Sequence, residues 1–211
     1  MAIVHGDSMA IIPRLPISSS GTEALLFALA FFGWIASEII GAMVLPRLRR
    51  HRTGTKLEIR DKRSGLVVFA GLLAAVYLAF GLSLAGIALL PDWVFYPGIA
   101  LIFLGIFLRQ WSIALLGGFF SALVSVQEGQ TIIRKGPYRY VRHPSYTGAI
   151  MIFTGIGLAI LSWGSLLVLV LASCIVYGYR IHVEEKVLVA KFGDEYEAYR
   201  KETKMLIPFV L

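Results

Sequence analysis

Four stretches of this chain run for more than twenty residues with almost no charge: 24–45, 66–90, 94–116 and 146–179. A bilayer core of about 30 Å is crossed by about 20 helical residues. Inside it every backbone N–H and C=O must be satisfied within the segment, which selects helices or closed barrels. Composition agrees, with 57% hydrophobic and 16% charged residues against about 25% charged in a soluble domain. The runs are continuous rather than alternating, so they predict an all-α polytopic integral membrane protein.

Punctuation sets the boundaries. The first run, 24–45, stops at Pro46 and holds Glu38, a carboxylate that is costly at bilayer depth unless paired or wetted. The second, 66–90, closes on Pro91-Asp92-Trp93, and the third, 94–116, carries Arg109 and Gln110 near its end. The last is too long for one span. Ser162-Trp163-Gly164 divides it into 146–161 and 165–181, a tight hairpin of thin or tilted spans. About five membrane helices in one domain, 1–211, follow. Trp93, Tyr96 and Trp111 suit interfacial anchoring, as does Tyr140. Segments 118–145 and 182–211 are polar. The second places Val187, Leu188, Phe192, Tyr196 and Tyr199 at helical spacing, predicting an amphipathic tail helix along the surface. No secretory pattern opens the chain. The single Cys174 permits no intrachain disulfide and reads as a small buried hydrophobe.

Charge placement tests that topology. Of 20 Lys and Arg, eight fall in 47–63, four in 134–142 and six from Arg180 onward. Five spans with the first running inward put all three clusters on the cytoplasmic side, leaving Arg14 outside. The basic 47–63 loop is explained by topology and anionic headgroups without nucleic acid. Gly117-Gly118 lacks the strand–turn–helix setting of a phosphate loop and marks a helix end. The histidines at 5, 51, 143 and 182 are dispersed, and Glu184 and Glu185 diverge on a helix, so no metal site is expected.

The polar residues concentrate at 136–148, Gly-Pro-Tyr-Arg-Tyr-Val-Arg-His-Pro-Ser-Tyr-Thr-Gly. The hairpin returns the chain to the same depth at Arg180 and Glu184, which are four apart and share a helical face. Cations, a carboxylate, aromatic rings and irregular backbone then surround one mouth. Such a site suits a zwitterion with a flat part: carboxylate to His or Arg, ammonium to Glu184, and a base between apolar walls.

Gly-Pro-Tyr-x-x-x-Arg-His-Pro-Ser-Tyr-x-Gly, followed by a hairpin, Glu184-Glu185 and Phe192-Gly-Asp-Glu-Tyr-x-x-Tyr199, resembles the isoprenylcysteine carboxyl methyltransferase family over about 127–208. The resemblance implies an integral-membrane enzyme using S-adenosylmethionine. It implies cofactor contacts from Tyr138 and from His143, Pro144, Ser145 and Tyr146, with Glu184 on the cofactor's amino group. It adds Gln127 and the run Gln130, Thr131, Ile132 and Ile133 upstream. Arg180 falls where the acceptor carboxylate is held, as a catalytic and substrate-binding residue. The acceptor is then a prenylated cysteine or similar lipophilic acid drawn from the bilayer, the site faces the cytoplasm, and the short 127–131 connection suits a prokaryotic cell membrane. The Arg-His-Pro element is also similar to phospholipid N-methyltransferases, which leaves an ethanolamine-type lipid as an alternative acceptor. A non-enzymatic lipid-binding scaffold is a third reading.

Overall fold

A computed structural model describes residues 21–48, 57–86 and 88–207. Arg14, His5 and the centre of the basic loop, 49–56, lie outside the described residues. Helix α1 (Gly21–Ser37) continues into a π-helical segment, Glu38–Val44. Then come α2 (Arg63–Leu84), α3 (Phe95–Leu116), α4 (Pro144–Ala159), α5 (Trp163–Phe192) and α6 (Asp194–Glu202). The all-α membrane class is as expected. Among the described residues four helical stretches, against the five spans expected, are long and apolar enough to span a bilayer: Gly21–Leu48, Arg63–Leu84, Asp92–Phe119 and Trp163–Phe192. Helix α4, with 16 residues, is apolar but shorter.

Two features depart from the sequence reading. Helix α5 runs 30 residues, so the last span and the start of the expected tail helix are one rod. Its 181–192 segment contains no Gly or Pro to break it, and Gly193, at φ 53°, makes the stop. Only α6 turns back. The second is a strand pair, β1 (Leu57–Asp61) antiparallel to β2 (Val124–Gln127), with an irregularity between Ile59 and Asp61. It ties two loops at the polar end, and strands this short and distant in sequence carry little periodic signal.

Helices α3 and α4 meet backbone to backbone. A Cβ on Gly105 would stand 2.6 Å from the Gly148 carbonyl oxygen, and one on Gly155 would stand 2.7 Å from that of Gly98. Gly98 and Gly105 are seven residues apart, as are Gly148 and Gly155. The two antiparallel helices therefore lock at two matched points, with fully buried Ile102 and Ile152 between. Without a hydrophobic drive between helices in lipid, such close packing supplies much of the association. It also fixes a register that sets Arg109 opposite Ser145.

At the far end of the hairpin, Leu161 takes φ 54°. Leu90 N–H donates to its carbonyl at 2.8 Å, and Trp163 N–H donates to Ala88 O at 2.8 Å. Ser162 caps α5 by accepting from Ser165 N–H. Serine hydroxyls stitch this hairpin to α2: Ser165 donates to Ala79 O and Ser83 to Ile160 O, each at 2.6 Å. The perimeter is apolar, with Phe32, Phe69 and Ile175 exposed, as lipid-facing surfaces are. Cys174 is exposed on this perimeter rather than buried, because its position on α5 turns away from α2 and α4.

Gly105→Val should therefore force α3 off α4, costing about 2–3 kcal/mol. Thermal unfolding in detergent checks this, and Gly33→Ala, where nothing lies within 4 Å, should leave the midpoint unchanged or raised.

Candidate active site

The 136–148 motif folds as a turn followed by a helix start. Gly136 adopts φ 57°, and a Cβ there would meet Leu115 Cδ1 at 2.7 Å. That close approach seats the 3-10 turn Gly136–Arg139 on the end of α3. Tyr138 is buried, and its carbonyl accepts from the Tyr199 hydroxyl at 2.7 Å. His143 is the N-cap of α4 and Pro144 its first residue, where a missing N–H is harmless. The C-terminal strap lies alongside: Arg142 N–H donates to Lys204 O at 2.8 Å, Lys204 N–H to Tyr140 O at 3.0 Å and His143 N–H to Met205 O at 3.1 Å.

Arg142 is the clamp of this corner. Its Nε donates to Glu185 Oε1 at 2.8 Å, while Nη1 donates to Thr203 O at 2.5 Å and Arg200 O at 3.1 Å. The last carbonyls of α6 thus receive the cation they favour. His143 Nε2 is 3.2 Å from Glu185 Oε1, and Arg200 Nε is 3.4 Å from Oε2. Glu184 and Glu185 do diverge, but Glu185, absent from the expected site, anchors the motif to α5.

A cavity of about 110 Å³ opens in front of this corner. Its lining includes Gln130, Thr131, Ile132 and Ile133 from the β2–α4 connection, then Tyr138, His143, Ser145, Tyr146 and Glu184. Gln127, Pro144 and Arg180 stand outside it. Gln127 is a buried brace whose Nε2 donates to Gly118 O at 3.0 Å and whose carbonyl accepts from Lys191 Nζ. Among the described residues Glu184 is the only carboxylate in the lining, and Phe119, Phe120, Leu188 and Phe192 give apolar walls. Ser125 also lines the cavity, and its buried hydroxyl has no partner among the described residues. In chemistry an orphaned hydroxyl, a carboxylate and apolar walls match the polar atoms, ammonium group and flat base of an aminoacyl nucleoside such as S-adenosylmethionine.

A larger cavity, about 570 Å³, lies on the other side of Tyr146. It is lined largely by apolar residues of α1 and α2, with Glu38, Arg109, Ser121, Tyr177 and Arg180 among its polar members. The Tyr146 ring belongs to both linings and stacks between His143 and Tyr177, with centroids 5.7 and 5.1 Å away. Its hydroxyl donates to Glu184 Oε2 at 2.7 Å and accepts from Arg180 Nε at 3.3 Å. Arg180 and Glu184 therefore share a face as expected, with Tyr146 interposed between them.

The two guanidiniums differ. Arg109 grips Glu38 with Nε and, at 2.8 Å, with Nη2, and its Nη1 donates to Ser145 O and Oγ at 3.1 and 3.0 Å. Glu38, flagged by its cost at bilayer depth, is thus paired. Arg180 is buried, and among the described residues it touches no carboxylate. Its Nη1 donates to Ser64 Oγ at 2.6 Å and Nη2 to Ala122 O at 2.9 Å. Ser64 in turn donates to Asp61. That hydroxyl, offset by slight burial and helped by the Ser64 and Arg63 amides, holds the Asp61 carboxyl below its usual range, with a weaker pull from Arg180. No spacing rule links Asp61 and Ser64 to Arg180, so sequence reasoning missed them.

Comparison with known proteins covers the same region. The phospholipid methyltransferase family profile matches residues 93–195. The protein-S-isoprenylcysteine O-methyltransferase of Schizosaccharomyces pombe is 35% identical over 109 residues, 51% of this chain and 46% of that protein. This chain thus spans less than half the length of that relative. Protein-S-isoprenylcysteine O-methyltransferase B of Arabidopsis thaliana is 26% identical over 80% of this chain and 92% of its own. The structure of a eukaryotic intramembrane Ras methyltransferase, an isoprenylcysteine carboxyl methyltransferase, superposes with TM-score 0.60 over 96% of this chain and 70% of that one. At 20% identity that likeness establishes a shared fold.

Glu185→Ala should leave Arg142 with backbone carbonyls alone and remove a partner from His143 and Arg200. With side-chain exposures of 11% for Arg142 and 13% for Glu185, the loss should be about 3 kcal/mol. Detergent unfolding, with protease susceptibility of the 203–207 strap as a local readout, checks it. Arg134→Ala, which breaks a largely exposed pair with Glu202, should cost at most about 1 kcal/mol.

Proposed function

We propose that this chain, a relative of the isoprenylcysteine carboxyl methyltransferases, moves a methyl group from S-adenosylmethionine to the carboxylate of a prenylated cysteine or a similar lipophilic acid. One observation carries the reading. Tyr146 stands between a polar cavity holding Glu184 and an apolar cavity holding Arg180, which among the described residues has no carboxylate in contact, whereas Arg109 there is paired with Glu38. A zwitterionic donor and a lipid-borne anion can thus approach from opposite sides.

When bound, S-adenosylmethionine supplies a methyl carried on a sulfonium. Glu184 would hold its ammonium group, the aromatic walls its base, and Ser125 one of its polar atoms. Tyr138, His143, Ser145 and the 130–133 run shape the same pocket, with Gln127 and Pro144 bracing it from behind. An acceptor carboxylate is already ionised near neutral pH, so no general base is required. Arg180 would orient it for in-line attack. Because Ser64 and Ala122 occupy part of the guanidinium, the acceptor takes only its remaining N–H groups, which limits ground-state over-stabilisation. The apolar walls exclude water from the junction.

The multi-pass chain would present this site to the cytoplasm, since the basic clusters at 134–142 and from Arg180 onward share its end of the bundle. A prokaryotic cell membrane suits the short 127–131 connection. A phospholipid amine acceptor is the second reading, favoured by the family profile over 93–195. An amine must shed a proton, and Arg180, always charged, cannot take it and would repel the ammonium form as it binds.

Labelled methyl transfer in detergent, offered to S-farnesyl thioacids and to ethanolamine lipids, should go to the acid. Transfer to the amine alone would overturn the acceptor assignment. Glu184→Ala should weaken S-adenosylhomocysteine binding about tenfold or more by calorimetry. Arg180→Lys should lower kcat while leaving that affinity near wild type, and unchanged cofactor affinity in Glu184→Ala counts against the placement of the amino group.

A further inference from the structure

The larger cavity has a direction. At one end lies Gly65, where an added Cβ would stand 3.8 Å from Arg180 Nη1. From there the lining climbs α2 through Val68, Leu72 and Val76, one helical face, and follows α1 in the opposite sense to Phe31. The other end is closed by rings. Phe31 stacks on Phe27 at 5.7 Å between centroids and meets Phe80 of α2 edge-on at 6.1 Å. Trp34 lies 5.6 Å from Phe31 and 5.3 Å from Phe153 of α4. Phe31 and Trp34 line the cavity, whereas Phe27 and Phe80 stand behind them. The closure therefore joins α1, α2 and α4 and is two rings thick at Phe31.

We propose that this aromatic cluster is an end stop that sets the length of the acceptor's apolar tail. The proposal rests on Arg180 as the anchor of the acceptor carboxylate. The helical rise from Gly65 to Val76 is about 16 Å. An extended chain advances about 3.5 Å per three bonds, so about fourteen bonds fit between anchor and stop. Counted from the carboxylate through the thioether, that is close to the reach of an S-farnesyl acid. A geranyl tail falls one isoprenoid unit short and leaves apolar wall uncovered. A geranylgeranyl tail overruns the stop and must displace packed rings or bend out between α1 and α2.

Methyl transfer to S-geranyl, S-farnesyl and S-geranylgeranyl thiopropionic acids, measured as kcat/KM in one detergent, tests this directly. Wild type should prefer the farnesyl acid over both neighbours. Phe31→Ala should shift the geranylgeranyl-to-farnesyl ratio upward about tenfold, the scale on which pocket length discriminates. Phe31→Trp should shift preference toward the geranyl acid, and Phe80→Ala should move the ratio in the same direction as Phe31→Ala by removing the backing. Ratios are read within each variant, so a general loss of folded protein does not mimic the effect. Equal kcat/KM across the three acids in wild type, or ratios unmoved in both alanine variants, would overturn the end stop while leaving the methyltransferase reading intact. Failure of every acid to be methylated would sink that reading and this inference with it.

Discussion

A guanidinium withdrawn from water has to find acceptors or it does not stay there, and this fold is organised around three that do. Arg109 joins α1 to α3 and α4 through Glu38 and Ser145. Arg142 joins α4 to α5 and α6 through Glu185 and the Arg200 and Thr203 carbonyls. Arg180 joins α5 to α2 and α4 through Ser64 and Tyr146. Every helix receives at least one of these staples. In lipid, where apolar side chains gain little by leaving the solvent, such polar joints and close backbone contacts determine which helix meets which.

The staples depend on register, and register comes from glycine. If α3 slid by one residue along α4, Arg109 would lose both Ser145 oxygens and the carbonyl contacts of Gly98, Gly105, Gly148 and Gly155 would no longer match. The same locking holds Ser145 and Tyr146 where the two cavities meet. Structural and chemical roles thus lie on adjacent residues of α4: Ser145 steadies the bundle, and Tyr146 divides the chambers.

Much of this was legible in the sequence. The apolar runs revealed the membrane class because bilayer thickness is a strict filter, and the density of functional groups at 136–148 marked the corner where the polar cavity opens. The Ser162 break predicted the hairpin, which brought Arg180 to Tyr146. What escaped has a common cause. The Arg109–Glu38 pair, the Asp61–Ser64 support of Arg180 and the β1–β2 pair all join residues more than sixty positions apart, where no local period records the contact. The cost of Glu38 was visible and its partner was not. The boundary between α5 and the tail was missed for the opposite reason: charge changes at His182, but helix propensity does not, so the rod continues.

The strap from Lys204 to Leu206 has a consequence for biosynthesis. Its backbone completes the pairing of Tyr140, Arg142 and His143, and Thr147 Oγ1 donates to Leu206 O at 2.7 Å. These partners are translated some sixty residues after the motif they secure. Helices α3 and α4 can already lock through glycine before residues 204–206 are made, but the motif then has no strap. Membrane integration of these helices and maturation of the site are therefore separate events in time, and the pocket is finished only once the strap reaches the motif.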